Sequence, residues 1–437
     1  MKKIFTILAL TMLTIIAPAQ NSRTDKMLDR FVRYARVNSQ DAKNSENEFP
    51  VTEGQKQMAT LLYNEIKAIP GVEASISPDW YVYAKIPSNA PKNCPSILFM
   101  AHSDITNEAP GGNIQPQVHR GYKGGDIVLK NGIVISPDKP EGTHLNDCIN
   151  KTIVTSDGTT LLGADDKTGC AEIVTAIKEI AHDKKSKHGD IYFCITQNED
   201  LGMAADRFDI AYLGGKSPDI VIDIDGGNYG EYSRSNFTGL QAIYTFHGKP
   251  AHPSYAYGTD YTDALSAASI FIAALPIEAH PLNSKGKEGY LQAYIFKVQD
   301  NGDIEVTVRV RYFTKQDSVR FAKYLDNAKA KARAVWPKIE INENQSLAYD
   351  NIAFSMHPAT TAILEKSAAK LGVPTQPIDL RAGTTASMMV VKGLRGGPCI
   401  YSGQNSEHSV YEWCCIEDML QTVDLVKEIV TQTANLK

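Results

Sequence analysis

The sequence predicts a layered α/β protein carrying a second, inserted α+β domain, and three observations predict it. Apolar runs short enough to be buried strands alternate with helical patterns over most of the chain. From about Asn236 to Asn344 the rhythm changes to β-α-β-β-α-β, the order of a split βαβ unit. Acidic residues fall just past several of the predicted strands, which is where an open α/β sheet binds its ligands.

The chain opens with Lys2 and Lys3, an apolar run from Ile4 to Ile16, then Ala17-Pro18-Ala19. A basic start, an apolar stretch and a small-x-small exit predict a signal peptide over residues 1–19, cleaved after Ala19. The run is shorter than the roughly 20 apolar residues that span a bilayer, so no membrane partner is expected of the mature form. The expected location is therefore periplasmic or extracellular. The 437 residues suffice for two domains on a prior of roughly 100–200 residues each. A formal charge of −5 with no basic block excludes nucleic acid as an expected partner. The seven Cys form no spaced framework, and those within apolar runs, such as Cys194, read as small hydrophobes.

In the larger domain, residues 20–235 and 345–437, Ser96–Ala101, Ile191–Thr196 and Asp219–Ile224 read as buried strands. Asp165 opens a helix with Ile173, Val174, Ile177 and Ile180 at helical spacing. Further helices are predicted at Thr360–Leu371 and Glu417–Leu436. In the insert, residues 236–344, the strands are Leu240–His247, Tyr290–Val298, Ile304–Phe313 and a short Lys338–Asn342. Its helices are Thr262–Leu275 and Ser318–Trp336.

The chemistry gathers at five points. His102 and Asp104 sit two apart at a strand end, so they face one side, and a carboxylate behind an imidazole is how metal-binding histidines are commonly held. Asp165 and Asp166 precede a helix, where they serve equally well as caps. In Asn198-Glu199-Asp200 the adjacent acids face different ways, so one can bind metal while the other handles a proton. Asp225 follows a strand and precedes Gly226-Gly227, and His408 lies in a polar loop near the end. Each piece occurs by chance, but one such residue per loop makes a two-metal inventory suited to amide hydrolysis. Imidazole and carboxylate without thiolate fit catalytic rather than structural zinc.

These residues stand in longer motifs. They are Thr52-Glu53-Gly54-Gln55, His102-Ser103-Asp104, Gly124-Gly125-Asp126-Ile127, Thr160 to Lys167, Asp225-Gly226-Gly227, Ala251-His252-Pro253, Arg381-Ala382-Gly383-Thr384 and His408. In them the chain resembles the tripeptide aminopeptidase branch of the M20 metallopeptidases, from about Asp25 to the C-terminus. The resemblance implies a zinc-exopeptidase domain, a mixed sheet flanked by helices, with a ferredoxin-like lid or dimerisation domain inserted. It also implies two Zn2+ ions and short peptides as substrates. Asp165 would bridge the metals, His102 and Asp225 completing one site and Asp200 and His408 the other. Glu199 would be the general base, Asp104 the orienter of His102, and His252 an oxyanion donor. In several dimeric members that His comes from the partner subunit, and the resemblance implies a homodimer. Arg311 and Arg381 would bind the substrate carboxylate.

Two positions depart from the pattern. Asp200 stands where the family usually has Glu, and Thr385 where it usually has Asp. They leave hydrolysis in place and bear on substrate preference. Other M20 activities (dipeptidase, carboxypeptidase, N-acyl amino acid hydrolase) share the ligand set. A non-catalytic peptide-binding protein would lack a ligand or the base, and this chain keeps all six. His119, His144, His182, His188, His247, His280 and His357 match no motif and read as surface or structural.

Overall fold

The computed structural model describes residues 17–42, 49, 51–90 and 93–436. The predicted signal peptide lies outside them except for positions 17–19, which fall in the first turn of the helix Ala17–Ala35. No helix of the described residues is long and apolar enough to cross a membrane.

Eight strands of the described residues form the main sheet. In spatial order they are Glu73–Ile76, Val82–Ile86, Ile191–Thr196, Ile97–His102, Ile220–Gly226, Cys399–Tyr401, Glu231–Asn236 and Gln376–Leu380. The sheet is mixed. Its centre is parallel, with Ile97–His102 pairing in parallel to both Ile191–Thr196 and Ile220–Gly226. Every residue of Ile97–His102 is buried, as a strand covered on both faces requires. That explains why these strands read as unbroken apolar runs rather than as alternation.

The helix Ala164–His182 lies across one face of the sheet, buried along most of its length and packed against the helix Ile416–Ala434. Ile173, Val174, Ile177 and Ile180 all enter the core, each contributing about 1.5–3 kcal/mol by leaving water. Gly169 permits the close approach. A Cβ there would meet the Ile224 carbonyl oxygen at 2.2 Å and the Asp166 carboxylate at 2.5 Å.

The strands Thr238–His247, Tyr290–Val298, Ile304–Tyr312 and Glu340–Tyr349 form a second, wholly antiparallel sheet. The helices Ala264–Ala273 and Lys315–Val335 close a core of its own, including Tyr244, Phe246, Phe271, Val306 and Phe321. Two elements differ from the sequence expectation by three residues or more at one end. The last strand runs over ten residues instead of five, because Asn342–Ser346 is polar and exposed and shows no alternation to read. Its partner Thr238–His247 pairs with it almost end to end. The second helix starts at Lys315, where Thr314 accepts the Asp317 N–H as its cap.

A third sheet escaped the sequence reading: Gln404–Asn405, Trp413–Cys415, Ile153–Thr155 and Gln117–His119. Strands of two or three residues carry too little pattern to detect. This sheet supports the loop that bears His408.

Candidate active site

Parallel pairing brings the site together. His102 ends its strand opposite Thr196, so Glu199 and Asp200 emerge beside it. Asp225 lies near the end of the neighbouring strand. Asp165 opens the helix that packs over these ends. His408 arrives from the other end of the sequence, held with φ +59°, a conformation uncommon for a residue with a Cβ. Asn198, immediately before Glu199, is also left-handed at φ +58°. Ser406 steadies the His408 loop by donating from Oγ to the Glu141 carbonyl at 2.8 Å.

The five expected ligands converge in two overlapping groups. His102 Nε2 lies 3.0 Å from Asp165 Oδ1 and 3.8 Å from Asp225 Oδ1. His408 Nε2 lies 3.2 Å from Asp165 Oδ2 and 3.0 Å from Asp200 Oδ1. Asp165 thus gives one oxygen to each imidazole. Within each group the potential ligand atoms all lie within 4.8 Å of one another. Asp200 reaches His408 despite its shorter side chain, and its backbone N–H donates to Asp104 Oδ2 at 3.2 Å. Asp104 Oδ1 stands 3.5 Å from His102 Nδ1, on the side away from the ligands.

The electrostatics are those of a cluster short of positive charge. Burial would lower the His102 pKa, yet Asp104 and Asp225 drive it well above its usual range. Hydrogen bonds to Asp165 and Asp200 push His408 up to about 12. Burial, reinforced by Asp200, Asp104 and Asp165, pushes the Glu199 carboxyl up to about 8 against the pull of His102. Like charges packed this closely cannot all ionise without a compensating cation.

Of the groups that support the ligands, Glu412 and Glu108 stand in none of the motifs read from the sequence. Glu412, fully buried, accepts the backbone N–H groups of Leu162, Gly163 and Asp165 at 2.7, 2.6 and 2.9 Å. The Asp166 carboxylate takes the His102 N–H at 3.1 Å and the Gly169 N–H at 3.0 Å, tying strand end to helix start. Gln404 donates to Asp225 Oδ1 at 3.2 Å, and Glu108 Oε2 lies 3.0 Å from His408 Nδ1. The one sequence signal for Glu412 is a lone acid abutting the apolar run Trp413–Ile416.

The remaining expected residues lie apart from the ligands. His252 is exposed in the insert, where its ring packs on Tyr255 and accepts the Ser254 N–H. Arg311 donates from Nη1 to the Leu240 and Val310 carbonyls and lies over Tyr349. Arg381 donates to Ser284, Gly286 and Glu288 of the insert. Thr385 is buried at the start of the helix Thr385–Val390.

A mixed α/β fold with two ligand groups sharing one carboxylate defines a class of dinuclear metal-binding peptidases, and sequence comparison assigns the same one. The chain belongs to peptidase family M20/M25/M40, whose profile matches residues 157–432. It is similar to a peptidase T of Geobacillus kaustophilus, at 33% identity over 418 residues, covering 93% of this chain and 97% of that one. Its fold is similar to that of the aminopeptidase PepT from Bacillus cereus, with a TM-score of 0.69, 19% identity and coverage of 94% and 99%. It is also similar in fold to a dinuclear metal-binding M20 peptidase from Bacillus subtilis, with a TM-score of 0.61, 11% identity and coverage of 94% and 98%.

Proposed function

We propose that the protein is a two-zinc aminopeptidase releasing the N-terminal residue of tripeptides. The observation that carries this reading is the division of Asp165 between His102 and His408. The donor set suits a pair of divalent cations. Among the described residues, the buried Asp200 Oδ2 has no hydrogen-bond partner. The candidate ligands are imidazole and carboxylate, as in catalytic zinc sites. His102, Asp165 and Asp225 would hold one ion, and Asp165, Asp200 and His408 the other.

Bound cations supply Lewis acidity to the scissile carbonyl and make water easier to deprotonate. Glu199 takes the proton from the attacking water and returns it to the leaving amine, a transfer that contributes about 10²–10⁴-fold. Asp104 fixes the orientation of His102, and Glu108 that of His408. Arg311, held through Nη1 by the Leu240 and Val310 carbonyls and set over Tyr349, is the guanidinium proposed to hold the peptide carboxylate. Arg381 joins it at the seam with the insert.

The proposal extends to a homodimer built on the insert, in which the partner subunit's His252 completes the oxyanion site. The exposed Tyr255, Tyr257, Phe296 and Val298 of the insert support a surface that is covered in solution. It extends also to export after cleavage at Ala19, on the basic and apolar pattern of the first residues. N-terminal sequencing of the protein from fractionated cells tests that cleavage.

The test of the activity compares free tripeptides with dipeptides and N-acetylated tripeptides, using zinc-loaded protein. Preference for free tripeptides is expected. Equal turnover of the N-acetylated peptides overturns the aminopeptidase reading.

A further inference from the structure

We propose that Cys148, Cys415 and Asp418 form a further metal site, separate from the dinuclear centre, for a thiophilic cation such as Zn2+ or Cd2+. Cys148 closes the 3-10 segment Pro140–Cys148. Cys415 ends the strand Trp413–Cys415, and Asp418 lies in the first turn of the helix Ile416–Ala434. One ligand atom from each lies within 4.8 Å of the others, and Cys148 Sγ is 3.8 Å from Asp418 Oδ2. Tetrahedral zinc with thiolate and carboxylate ligands spaces neighbouring ligand atoms about 3.4–3.8 Å apart. Small side-chain shifts therefore close the group on an ion. No residue is shared with His102, Asp165, Asp200, Asp225 or His408.

Both thiols and the carboxylate are buried, yet the group has an approach. Cys148 and Asp418 line a cavity of about 360 Å³, together with His144, Lys151, Tyr229 and Asn405. That space admits the ion and a water as fourth ligand. Strand alternation separates Cys415 from Cys414, which packs in the main core while Cys415 joins the cluster of Cys148 and Trp413.

A cation fits the charges of the ionised group. Lys151 Nζ sits 2.7 Å from Asp418 Oδ1. The two thiolates, the Asp418 carboxylate, this ammonium and a divalent cation sum to zero, and the Glu417 carboxylate, whose Oε2 lies 3.9 Å from Cys415 Sγ, stands outside that sum. Without the ion the Cys415 thiol holds its proton, since burial pushes it well above its ordinary range. On binding, two S–H bonds are exchanged for two S–metal bonds, and two protons leave through the cavity. Thiolates select Zn2+ and softer ions over Mg2+ or Ca2+. The site would clamp the underside of the small sheet whose loop presents His408.

The experiment uses the full chain, kept reduced and loaded with Cd2+. Wild type is expected to bind one equivalent more than Cys148→Ser/Cys415→Ser and to show an ultraviolet thiolate-to-cadmium charge-transfer band that this variant lacks. Tripeptide hydrolysis by the zinc-loaded double variant should be retained. As a check that needs no variant, free Cd2+ at ten times its dissociation constant should slow alkylation of Cys148 about tenfold and leave that of Cys94 unchanged. If the double variant fails to fold, Asp418→Asn serves, with weaker cadmium binding expected. The proposal is overturned if reduced wild type shows no extra equivalent and no charge-transfer band, or if the double variant binds as much. It is also overturned if Cys148 and Cys415 are found joined as a disulfide in the native protein and reduction does not restore binding. None of these outcomes bears on the peptidase reading, which a loss of tripeptide turnover in zinc-loaded wild type would overturn separately.

Discussion

The backbone N–H of Asp165 donates to Glu412 Oε1 at 2.9 Å, so the residue that faces both histidines is positioned by an acid 247 residues away. Glu412 Oε2 takes the N–H groups of Leu162 and Gly163, and both oxygens are thus needed as acceptors. Burial pushes this carboxyl up to about 8 against the pull of those three donors. In Glu412→Gln one oxygen becomes an amide donor and opposes the Asp165 N–H. The expected cost is about 1–3 kcal/mol, read as a lower midpoint in denaturant, together with weaker metal retention in dialysis.

Glu199 is next to a proposed ligand without being one. Glu199→Ala should keep both metals by elemental analysis while kcat falls by about 10²–10⁴-fold. A variant with the wild-type rate removes Glu199 from the mechanism.

The His252 ring accepts the Ser254 N–H and packs on Tyr255. His252→Ala should lower kcat with metal content unchanged. Mixing this variant with Glu199→Ala should recover activity through mixed dimers that retain one intact site. No recovery, with subunit exchange verified, counts against a site shared between subunits.

Removing the cations should both silence and destabilise the protein, since the carboxylates of the site then repel one another. A ligand present at about 1,000 times its dissociation constant adds about 4 kcal/mol. Chelation should therefore lower Tm, and adding Zn2+ should restore Tm and turnover together.

Away from the site, Glu65 governs part of the acid stability. Burial raises its pKa, but Arg30, Tyr34 and Arg33 outweigh that and hold the carboxyl below its usual range. Stability from this cluster is present above the unfolded carboxyl pKa and is lost as pH falls through the lower, folded one. At pH 7, Glu65→Gln should cost about 1–3 kcal/mol. Denaturation curves of wild type and variant should begin to converge as pH falls below the unfolded carboxyl value of about 4.3.

Local pattern carried much of the fold. Ile191–Thr196 and Thr360–Leu371 have the same bounds in sequence and structure, because a buried apolar run and a helical stripe are each complete within their own segment. The strand Glu340–Tyr349 was read at half its length and the small sheet of Trp413–Cys415 was missed. Their order comes from partners remote in sequence, and side-chain pattern records it poorly.

The sequence by itself determined which residue types were available for metal and proton chemistry, and that His102, Asp165, Asp200, Asp225 and His408 lie beside predicted strand ends, at a helix start or in a late loop. Only the tertiary structure decided that Asp165 faces both histidines, that Glu412 fixes its backbone, and that Arg381 reaches across to the insert. The physical reason is that ligand identity is a property of single residues. Ligand geometry depends on parallel strand register and on buried acceptors drawn from distant segments.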